Sequence, residues 1–365
     1  MKKIRTVLGD IAPEELGLTS MHDHTFLDLS VAGQFMKNMF PGVTDEMLAF
    51  VPENYGFLKS GTYLMSKELQ IIDNMDYLLK EYSYFKAAGG CSVVDPGPIG
   101  IRGNGDKLKE FSKRSGLNII CATGIYTAIS RPAELLGKDE EVLYQTFKKE
   151  IEEGIDGTDV KPGILKAALA TYGPNGIHEA EIDGIRACAR LSAETGMSLH
   201  IHTDPTIPGE EIVRVVKMVI ENYGVDAGRI LICHMDSRLA CSVKVDDYMQ
   251  NMETGRNINL DMHKALLDLG VNIGLDTWGM PITNLQFFAA EDYDRVKALI
   301  TLIDLGYASQ ITLGNDFSSK IASRSYGGYG CTRFIEYGLS MLQKYGRGDA
   351  IPKLTVENPA RILAY

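Results

Sequence analysis

The sequence predicts an α/β fold, a distorted (β/α)8 barrel of the TIM type, and three observations lead to this fold class. Short apolar runs rich in Val, Ile and Leu alternate with stretches of helical periodicity, as expected for strand–helix units around a parallel sheet. Eight such runs occur, the number that closes a barrel. Side chains able to bind metal follow several runs, and a barrel brings such strand ends together on one rim. We expect residues 1–365 to form a single domain.

The predicted strands are short, as strands of such barrels usually are. They cover Leu18–Met21, Cys91–Asp95, Asn118–Ala122, Gly163–Ala167, Ser198–Ile201, Arg229–Cys233, Val271–Leu275 and Gln310–Leu313. Leu69, Ile72, Leu79 and Tyr82 have helical spacing and predict a first outer helix that ends before Gly89. Similar patterns predict further outer helices at Glu140–Glu153, Glu179–Thr195, Glu210–Tyr223, Tyr293–Leu305 and Thr332–Tyr345.

Two segments flank the first strand. Ile4–Leu8 is followed by Gly9 and Asp10, which predict a turn, and we expect a short β hairpin that closes the bottom of the barrel. Thr25–Ser66 is the longest stretch with weak periodicity and comes directly after the first strand. We expect this long loop to form a lid over the functional site, with a short helix near Asp45–Phe50.

Charge and composition narrow the class of function. The chain carries 37 basic and 48 acidic residues, a net charge of −11, which argues against a general nucleic-acid-binding surface. No stretch approaches the roughly 18 apolar residues that span a bilayer, so we expect a cytoplasmic protein without membrane contact. The cysteines form no paired-thiol motif and are expected to be free, buried thiols. They are Cys91, Cys121, Cys188, Cys233, Cys241 and Cys331.

Four histidines and one aspartate stand where apolar runs end. They are His22, His24, His202, His234 and Asp316. His22 and His24 alternate along an extended chain, so both side chains point the same way and Asp23 points the other way. Taken alone, this pair is also compatible with two hydrogen-bonded histidines, but its position after an apolar run favours a metal site. Imidazole and carboxylate donors suit divalent zinc, manganese or cobalt.

Lys166 is the unusual member of the set. It lies near the end of the run Gly163–Ala167 and is expected to point toward the barrel lumen, opposite to Leu165. A protonated ammonium would repel metal ions, so Lys166 can be a ligand only after losing its charge, through burial or through reaction with carbon dioxide to a carbamate. The alternative is an ordinary ion-paired lysine, which the local sequence alone favours.

Three further histidines are weaker candidates for metal binding. His200 faces the same side as His202 about one layer deeper and is either a partner of the ligands or a hydrogen-bonded core histidine. His178 begins a helix and His263 lies within one, and we expect both to be exposed to solvent.

These residues, with several surrounding segments, resemble the phosphotriesterase-like branch of the amidohydrolase superfamily, which includes lactonases. The similarity runs over nearly the whole chain, and its motifs are specific when taken jointly. They are Arg5-Thr6-Val7-Leu8-Gly9-Asp10, His22-Asp23-His24, Val94-Asp95, Ala122-Thr123-Gly124-Ile125-Tyr126, Lys166, His202-Thr203, His234-Met235-Asp236, Gly274-Leu275-Asp276, Asn315-Asp316 and Glu357-Asn358-Pro359-Ala360-Arg361-Ile362-Leu363.

The resemblance implies a centre of two divalent ions, for which we expect zinc first, with manganese or cobalt as alternatives. The implied ligands are His22, His24 and Asp316 for the more buried ion, His202 and His234 for the more exposed ion, and carboxylated Lys166 as a bridge between them together with a hydroxide. The ion pair would lower the pKa of the shared water and polarise the scissile bond. Asp316 would be the catalytic residue that accepts a proton from the attacking hydroxide.

Substrate contacts are implied for three residues. Tyr126 resembles an aromatic residue near the exposed metal and is expected to hydrogen-bond the substrate, with packing inside its own loop as the alternative. Lys320 and Arg324 follow Asp316 in a glycine-containing loop and are expected to clamp a phosphate or carboxylate, with two solvated cations as the alternative. Dedicated phosphotriesterases carry a histidine where this chain has Thr277, so a proton relay through that position does not transfer.

The sequence therefore predicts a binuclear-metal hydrolase of small carboxylic esters or lactones, including phosphorylated sugar lactones. An organophosphate or phosphonate ester is the alternative substrate, since the same ligands serve both reactions. A non-catalytic, metal-containing binding protein is the alternative from another class, because fold does not determine function. The sequence allows a homodimer.

Overall fold

The computed structural model describes residues 2–239, 258–280 and 290–365. Eight parallel strands follow one another in sequence order within a single sheet that is nearly closed into a barrel. They are β1 (Thr19–Ser20), β2 (Ser92–Asp95), β3 (Asn118–Gly124), β4 (Ile164–Leu169), β5 (Leu199–Thr203), β6 (Ile230–Ile232), β7 (Asn272–Leu275) and β8 (Ile311–Leu313). The backbone nitrogen of Met21 donates to the carbonyl of Leu313 (2.9 Å) and links the first strand to the last. The predicted barrel is confirmed, with every strand at its predicted place.

Helices surround the sheet. They are α1 (Ser30–Met39), α2 (Asp45–Leu48), α3 (Tyr55–Lys59), α4 (Met75–Ala87), α5 (Gly105–Ser115), α6 (Glu140–Glu153), α7 (Glu179–Thr195), α8 (Gly209–Tyr223), α9 (Asp261–Leu267), α10 (Asp292–Asp304), α11 (Ser340–Lys344) and α12 (Asn358–Leu363). A π-helical turn, Phe334–Leu339, leads into α11. The predicted start of the first outer helix was wrong, because the side chain of Asn74 accepts the backbone N–H of Tyr77 and caps α4 there. Leu69 and Ile72 therefore lie before the helix.

The N-terminal residues form the predicted hairpin at the bottom of the barrel. Ile4–Thr6 pairs antiparallel with Gly9–Ile11, so the turn lies at Val7 and Leu8 and not at Gly9 and Asp10 as predicted. The backbone nitrogen of Val7 donates to the carbonyl of Ile119 (2.9 Å), near the first residue of β3. This contact places the hairpin at the end of the barrel opposite to the strand exits.

Residues 27–72, here called the lid, fold as a unit after β1. The two ends of the lid pair with each other as short antiparallel strands, Leu27–Asp28 and Ile71–Ile72. Helix α2 is the predicted short helix, and the Oγ1 of Thr44 accepts the backbone N–H of Met47 at its start (3.4 Å). A small core holds the lid to the barrel and consists of buried Leu48, Leu58, Tyr63, Met65, Leu69 and Ile321.

Two expectations about composition can be compared with the described residues. No helix in this part of the chain is both long and apolar enough to cross a membrane. Cys121, Cys188, Cys233 and Cys331 are free and buried, as predicted. Cys91 is free but exposed, which corrects the prediction, because it precedes β2 at the surface. Cys241 lies outside the described residues.

Candidate metal centre

The predicted metal-binding residues meet on one rim of the barrel. They lie on, or within four residues after, β1, β4, β5, β6 and β8, and are His22, His24, Lys166, His202, His234 and Asp316. The ring centroid of His22 lies 5.6 Å from that of His24 and 4.5 Å from that of His234. The His234 ring in turn lies 4.7 Å from the His202 ring. Strand ends far apart in sequence thus supply one continuous group of donors.

Three of these side chains are arranged for a single ion. The Oδ1 of Asp316 lies 3.7 Å from the Nε2 of His22 and 3.6 Å from the Nε2 of His24. Ligands about 2.1 Å from a tetrahedral ion stand about 3.4 Å from each other, so these separations fit one divalent metal. His202 and His234 provide a second group of donors beside it.

Two ligands have an uncommon backbone conformation. The φ angle is +61° at His234 and +49° at Asp316, in the left-handed region that residues other than glycine rarely adopt. The backbone nitrogen of Asp316 donates to the carbonyl of His22 (2.9 Å), which holds the exit of β8 against the exit of β1. Backbone strain of this kind concentrates at functional sites.

Asp276 and Asp95 orient the histidines from behind. Asp276 lies 2.9 Å from the Nδ1 of His234 and 3.2 Å from the Nδ1 of His22, through different carboxylate oxygens. Asp95 lies 3.5 Å from the Nδ1 of His24 and accepts the backbone N–H of Thr25 (3.0 Å). A carboxylate on one ring nitrogen directs the other nitrogen toward the metal and increases its basicity.

Sequence reasoning assigned no role to Asp276 or Asp95. A signal was available, since each ends an apolar strand as the predicted ligands do. Asp23, which was predicted to point away from the metal, accepts the backbone N–H of Phe317 (2.8 Å) and the side-chain amide of Asn315 (3.1 Å). It therefore holds the segment that carries Asp316.

Burial is the main effect that favours neutral imidazole at three positions around the centre. Burial, reinforced by the positive charge of Lys166, lowers the pKa of His22 to about 3. Burial and the neighbouring His234 lower the pKa of His202 well below its usual range. Burial also lowers the pKa of His200 well below normal. A neutral imidazole is the form that binds metal.

Nearby carboxylates raise the pKa of the two remaining histidines, His24 and His234. Burial opposes protonation of His24, but Asp316 and Asp95 outweigh it and raise the pKa of His24 to about 9. The pKa of His234 is raised against burial by Asp276 and Asp316. Burial likewise works against ionisation of Asp316, but His234 and His24 lower its pKa below the usual value. The carboxylates thus favour protonation of His24 and His234, against the effect of burial.

Lys166 is buried, with 1% of its surface exposed. Its Nζ lies 3.8 Å from the Sγ of Cys233 and forms no ion pair with any residue in the described ranges. An isolated buried charge is unfavourable, and buried lysines are normally paired. The environment of Lys166 therefore does not fit the alternative of an ordinary ion-paired lysine.

Tyr126 lies beside His202, and its contact with a substrate stays a prediction. Its hydroxyl lies 3.4 Å from the Nδ1 of His202. The loop that carries it is held by buried Glu181, which accepts the backbone N–H groups of Ala128 (3.1 Å), Ala170 (2.8 Å) and Thr171 (2.9 Å). Glu181 thus fastens the exits of β3 and β4 to each other.

The two predicted cations occupy different surroundings in loop 8, the segment 314–333 after β8. The guanidinium of Arg324 donates to Glu336 (2.6 Å) and lies over the ring of Tyr84 (4.7 Å to the centroid). Its backbone N–H donates to buried Glu81 (2.9 Å). Lys320 is partly buried and forms no ion pair within the described part of the chain, and its backbone N–H donates to the lid. The substrate contacts of both residues stay predictions.

Three other predictions concern the surroundings of the centre. The Nε2 of His200 lies 3.1 Å from the Oγ of Ser198, which fits the alternative of a core histidine. His178 is exposed, as predicted, and caps α7. His263 is fully buried, which corrects the prediction of an exposed residue, because α9 packs this side chain against the carbonyl of Met235 (2.8 Å).

Thr277 lies at the position where the sequence has no histidine to relay a proton. Its hydroxyl donates to Asp236 (2.8 Å) and accepts from Arg295 (2.7 Å). Arg295 also donates to Asp236 (2.8 Å), and these three buried side chains form a closed ion-pair network. Thr277 is therefore part of the support of the β6 and β7 exits.

The sequence and the structure of the chain are similar to those of several known proteins. A model of the phosphotriesterase family matches residues 2–363. N-acetyltaurine hydrolase from Danio rerio is 25% identical over 371 residues, which cover 100% of this chain and 98% of that protein. A resiniferatoxin-binding protein from Rhodobacter sphaeroides has a similar crystal structure, with a TM-score of 0.79, 25% identity and coverage of 99% of this chain and 94% of that one. A mutant PTE-like lactonase from Deinococcus radiodurans shares the fold, with a TM-score of 0.72, 24% identity and 99% coverage of both chains.

Proposed function

Because the chain belongs to the phosphotriesterase family, we propose that it is a binuclear-metal hydrolase that cleaves the ester bond of a small lactone or carboxylic ester. The observation that carries the proposal is the meeting of imidazole and carboxylate donors on one barrel rim, with separations of 3.6 and 3.7 Å around Asp316. Enzymes of this family hold two metal ions, and His22, His24 and Asp316 bring three donors close enough together to hold one of them.

Each ligand has a place in this proposal. His22, His24 and Asp316 would hold one ion, His202 and His234 would hold the other, and Lys166 would link the two groups. Carboxylation of Lys166 would turn an unpaired buried cation into an anion with two oxygen donors, which matches its lack of an acidic partner. When bound, the ions would supply an acidified water and a Lewis acid for the carbonyl oxygen, and zinc is the metal we expect first.

Two side chains of the centre would take part in the reaction, Asp316 as a proton acceptor and Tyr126 as a hydrogen-bond donor. Asp316 is ionised because neighbouring imidazoles hold its pKa below the usual value, and it takes up the proton released when water adds to the carbonyl carbon. Tyr126 stays protonated because burial and the Asp316 charge raise its pKa well above normal. Its hydroxyl would donate a hydrogen bond to the substrate beside His202.

An N-acyl amide is the second candidate substrate. The relative from Danio rerio that matches the whole chain is named N-acetyltaurine hydrolase, so it is named for an amide substrate. Amide and ester hydrolysis both begin with addition of water to a carbonyl carbon, so one metal centre suits both. Lys320, a partly buried cation without an ion pair in the described ranges, would meet an anionic group on either substrate.

A substrate screen on metal-reconstituted protein tests the proposal. The panel contains simple and phosphorylated sugar lactones, aryl esters, N-acetyltaurine, and phosphonate and organophosphate esters. We expect chelator-sensitive hydrolysis with the highest kcat/KM on a lactone or ester. A preference for N-acetyltaurine would select the amide alternative. Tightly bound metal without any chelator-sensitive turnover would contradict the proposal and favour a binding protein.

A further inference from the structure

Cys233 is a fully buried cysteine directly after β6, and its side chain points into the barrel lumen. It packs in the same small core cluster as Leu231 and Ala122. Ile232, which lies between Leu231 and Cys233, packs instead in the large cluster that contains side chains of the outer helices. Side chains alternate along a strand, so Cys233 and Leu231 face the lumen and Ile232 faces outward. The thiol therefore lies on the same side of the sheet as the metal centre.

The sulfur of Cys233 lies among the donors of this centre. One donor atom each of Cys233, His22 and Asp276 lies within 4.8 Å of the other two. The Nζ of Lys166 lies 3.8 Å from the Sγ of Cys233. Nitrogen and sulfur ligands of one tetrahedral zinc ion, about 2.1 and 2.3 Å from the metal, stand about 3.6 Å from each other. Small side-chain movements would thus bring the sulfur onto an ion that His22 also binds.

Two atoms next to this thiol have no hydrogen bond. The Nδ1 of His22 and the Oδ2 of Asp276 are buried, and neither forms a hydrogen bond with any residue that the structure describes. They lie 3.2 Å from each other, at the distance of an ion pair. Buried polar atoms nearly always have a partner. Unpaired nitrogen and oxygen atoms beside a buried thiol are surroundings that a metal ion would satisfy.

We propose that Cys233 is a further metal ligand of the centre, whose thiolate sulfur binds the ion that His22 holds. This inference rests on the proposed function for the presence of that ion. When the sulfur forms its bond to the metal, the thiol releases its proton, because the thiolate is the form that binds. Thiolate ligands favour zinc, whereas manganese prefers oxygen ligands. Cys233 would therefore make the centre selective for zinc.

The absorption spectrum of the cobalt-substituted protein tests whether the sulfur binds metal. A thiolate bound to Co²⁺ gives an intense charge-transfer band in the near ultraviolet, which nitrogen and oxygen ligands do not give. We expect this band in the wild type and its loss in both Cys233→Ser and Cys233→Ala, while cobalt still binds through the other ligands. Two substitutions are used because serine retains a polar group and alanine does not, so a folding defect of one variant does not decide the result.

Cys121→Ser is the matched control for these variants. Cys121 is also a buried cysteine of a barrel strand, β3, but it packs in the cluster of the outer helices, and its Sγ lies 3.8 Å from the carbonyl of Lys161. Cys241→Ser is a second control, because Cys241 lies outside the described residues. Both control variants should keep the charge-transfer band of the wild type.

Metal affinities test the selectivity that the sulfur would provide. Competition with a chelator gives the affinity of each protein for zinc and for manganese. We expect Cys233→Ser to lower the zinc affinity by at least about tenfold and the manganese affinity by less than about threefold. Equal losses for the two metals would contradict a zinc-selective sulfur ligand.

These measurements require no turnover, which separates the inference from the proposed function. X-ray absorption of the zinc-loaded wild type should show a sulfur neighbour at about 2.3 Å, besides nitrogen and oxygen neighbours at about 2.0–2.1 Å. A sulfur neighbour without hydrolysis of any compound of the screen would support the role of Cys233 and contradict the proposed function. Hydrolysis with only nitrogen and oxygen neighbours would keep the proposed function and overturn the inference. A cobalt band that persists in both Cys233 variants would assign the sulfur to another cysteine and also overturn it.

Discussion

Lys166 is the residue whose chemistry most directly separates a working centre from a cluster of histidines. It is buried beside Cys233 and has no acidic partner in the described ranges, which sets it apart from an ordinary ion-paired lysine. Asp276 has a complementary role, because one carboxylate orients both His22 and His234. Without Lys166 or Asp276, the remaining ligands would still be present, but their donor atoms would no longer point toward a common metal ion.

For Lys166→Met we expect loss of metal and of activity together, with kcat/KM lower by at least about 100-fold, because the variant cannot link the two groups of ligands. Metal content by atomic emission and the chelator-induced change in melting temperature are the readouts. The wild type should lose thermal stability on chelation, whereas the variant should respond little. Lys161→Met, an exposed lysine before the same strand, is the control and should behave as the wild type. Full activity of Lys166→Met would refute the bridging role.

At the scale of elements, the strand exits position the centre through close backbone contacts. Gly124 ends β3 with a φ of +128°, and a Cβ atom at this position would lie 1.9 Å from the carbonyl oxygen of Lys166. The two residues are partners in the register of β3 and β4. Glycine is therefore required where β3 leaves the sheet beside the lysine.

We expect Gly124→Ala to lower the free energy of unfolding by at least about 3 kcal/mol and to reduce metal content, because the clash displaces Lys166. Gly137→Ala is the matched control, since Gly137 also has a positive φ of +67° but no atom within 4 Å of a Cβ. It should cost only about 1 kcal/mol. Urea denaturation and metal analysis distinguish the two. Equal effects of both variants would show that backbone strain, and not the contact with Lys166, determines the result.

The same elements show what the sequence could and could not predict. The strands and the ligands were predictable because an apolar run that ends in His or Asp is a local signal, as at His234 and Asp316. The lid helices α1 and α3 were not predicted, since the lid is held by partners distant in sequence, such as Leu69 with Ser319. The burial of His263 also depends on a tertiary contact, with the carbonyl of Met235, which periodicity does not reveal.

At the scale of the whole molecule, burial of neutral imidazoles makes stability depend on pH. His263 is fully buried beside the carbonyl of Met235, and burial lowers its pKa from 6.5 to about 4. The unfolded chain therefore binds a proton at His263 more readily than the folded protein between these two values. The contribution of His263 to the free energy of unfolding is fully present above pH 6.5. It is lost as the pH decreases toward 4, and the loss amounts to about 3 kcal/mol for this residue alone.

His263→Gln isolates this contribution, because glutamine keeps a donor for the carbonyl of Met235 and does not titrate. We expect the free energy of unfolding of the variant to fall less steeply than that of the wild type between pH 6.5 and 4.5, with the curves converging or crossing at the acid end. Denaturant titrations of the two proteins across this range provide the measurement. Parallel curves for His263→Gln and the wild type would mean that His263 takes up its proton without unfolding, and that α9 opens locally to admit it.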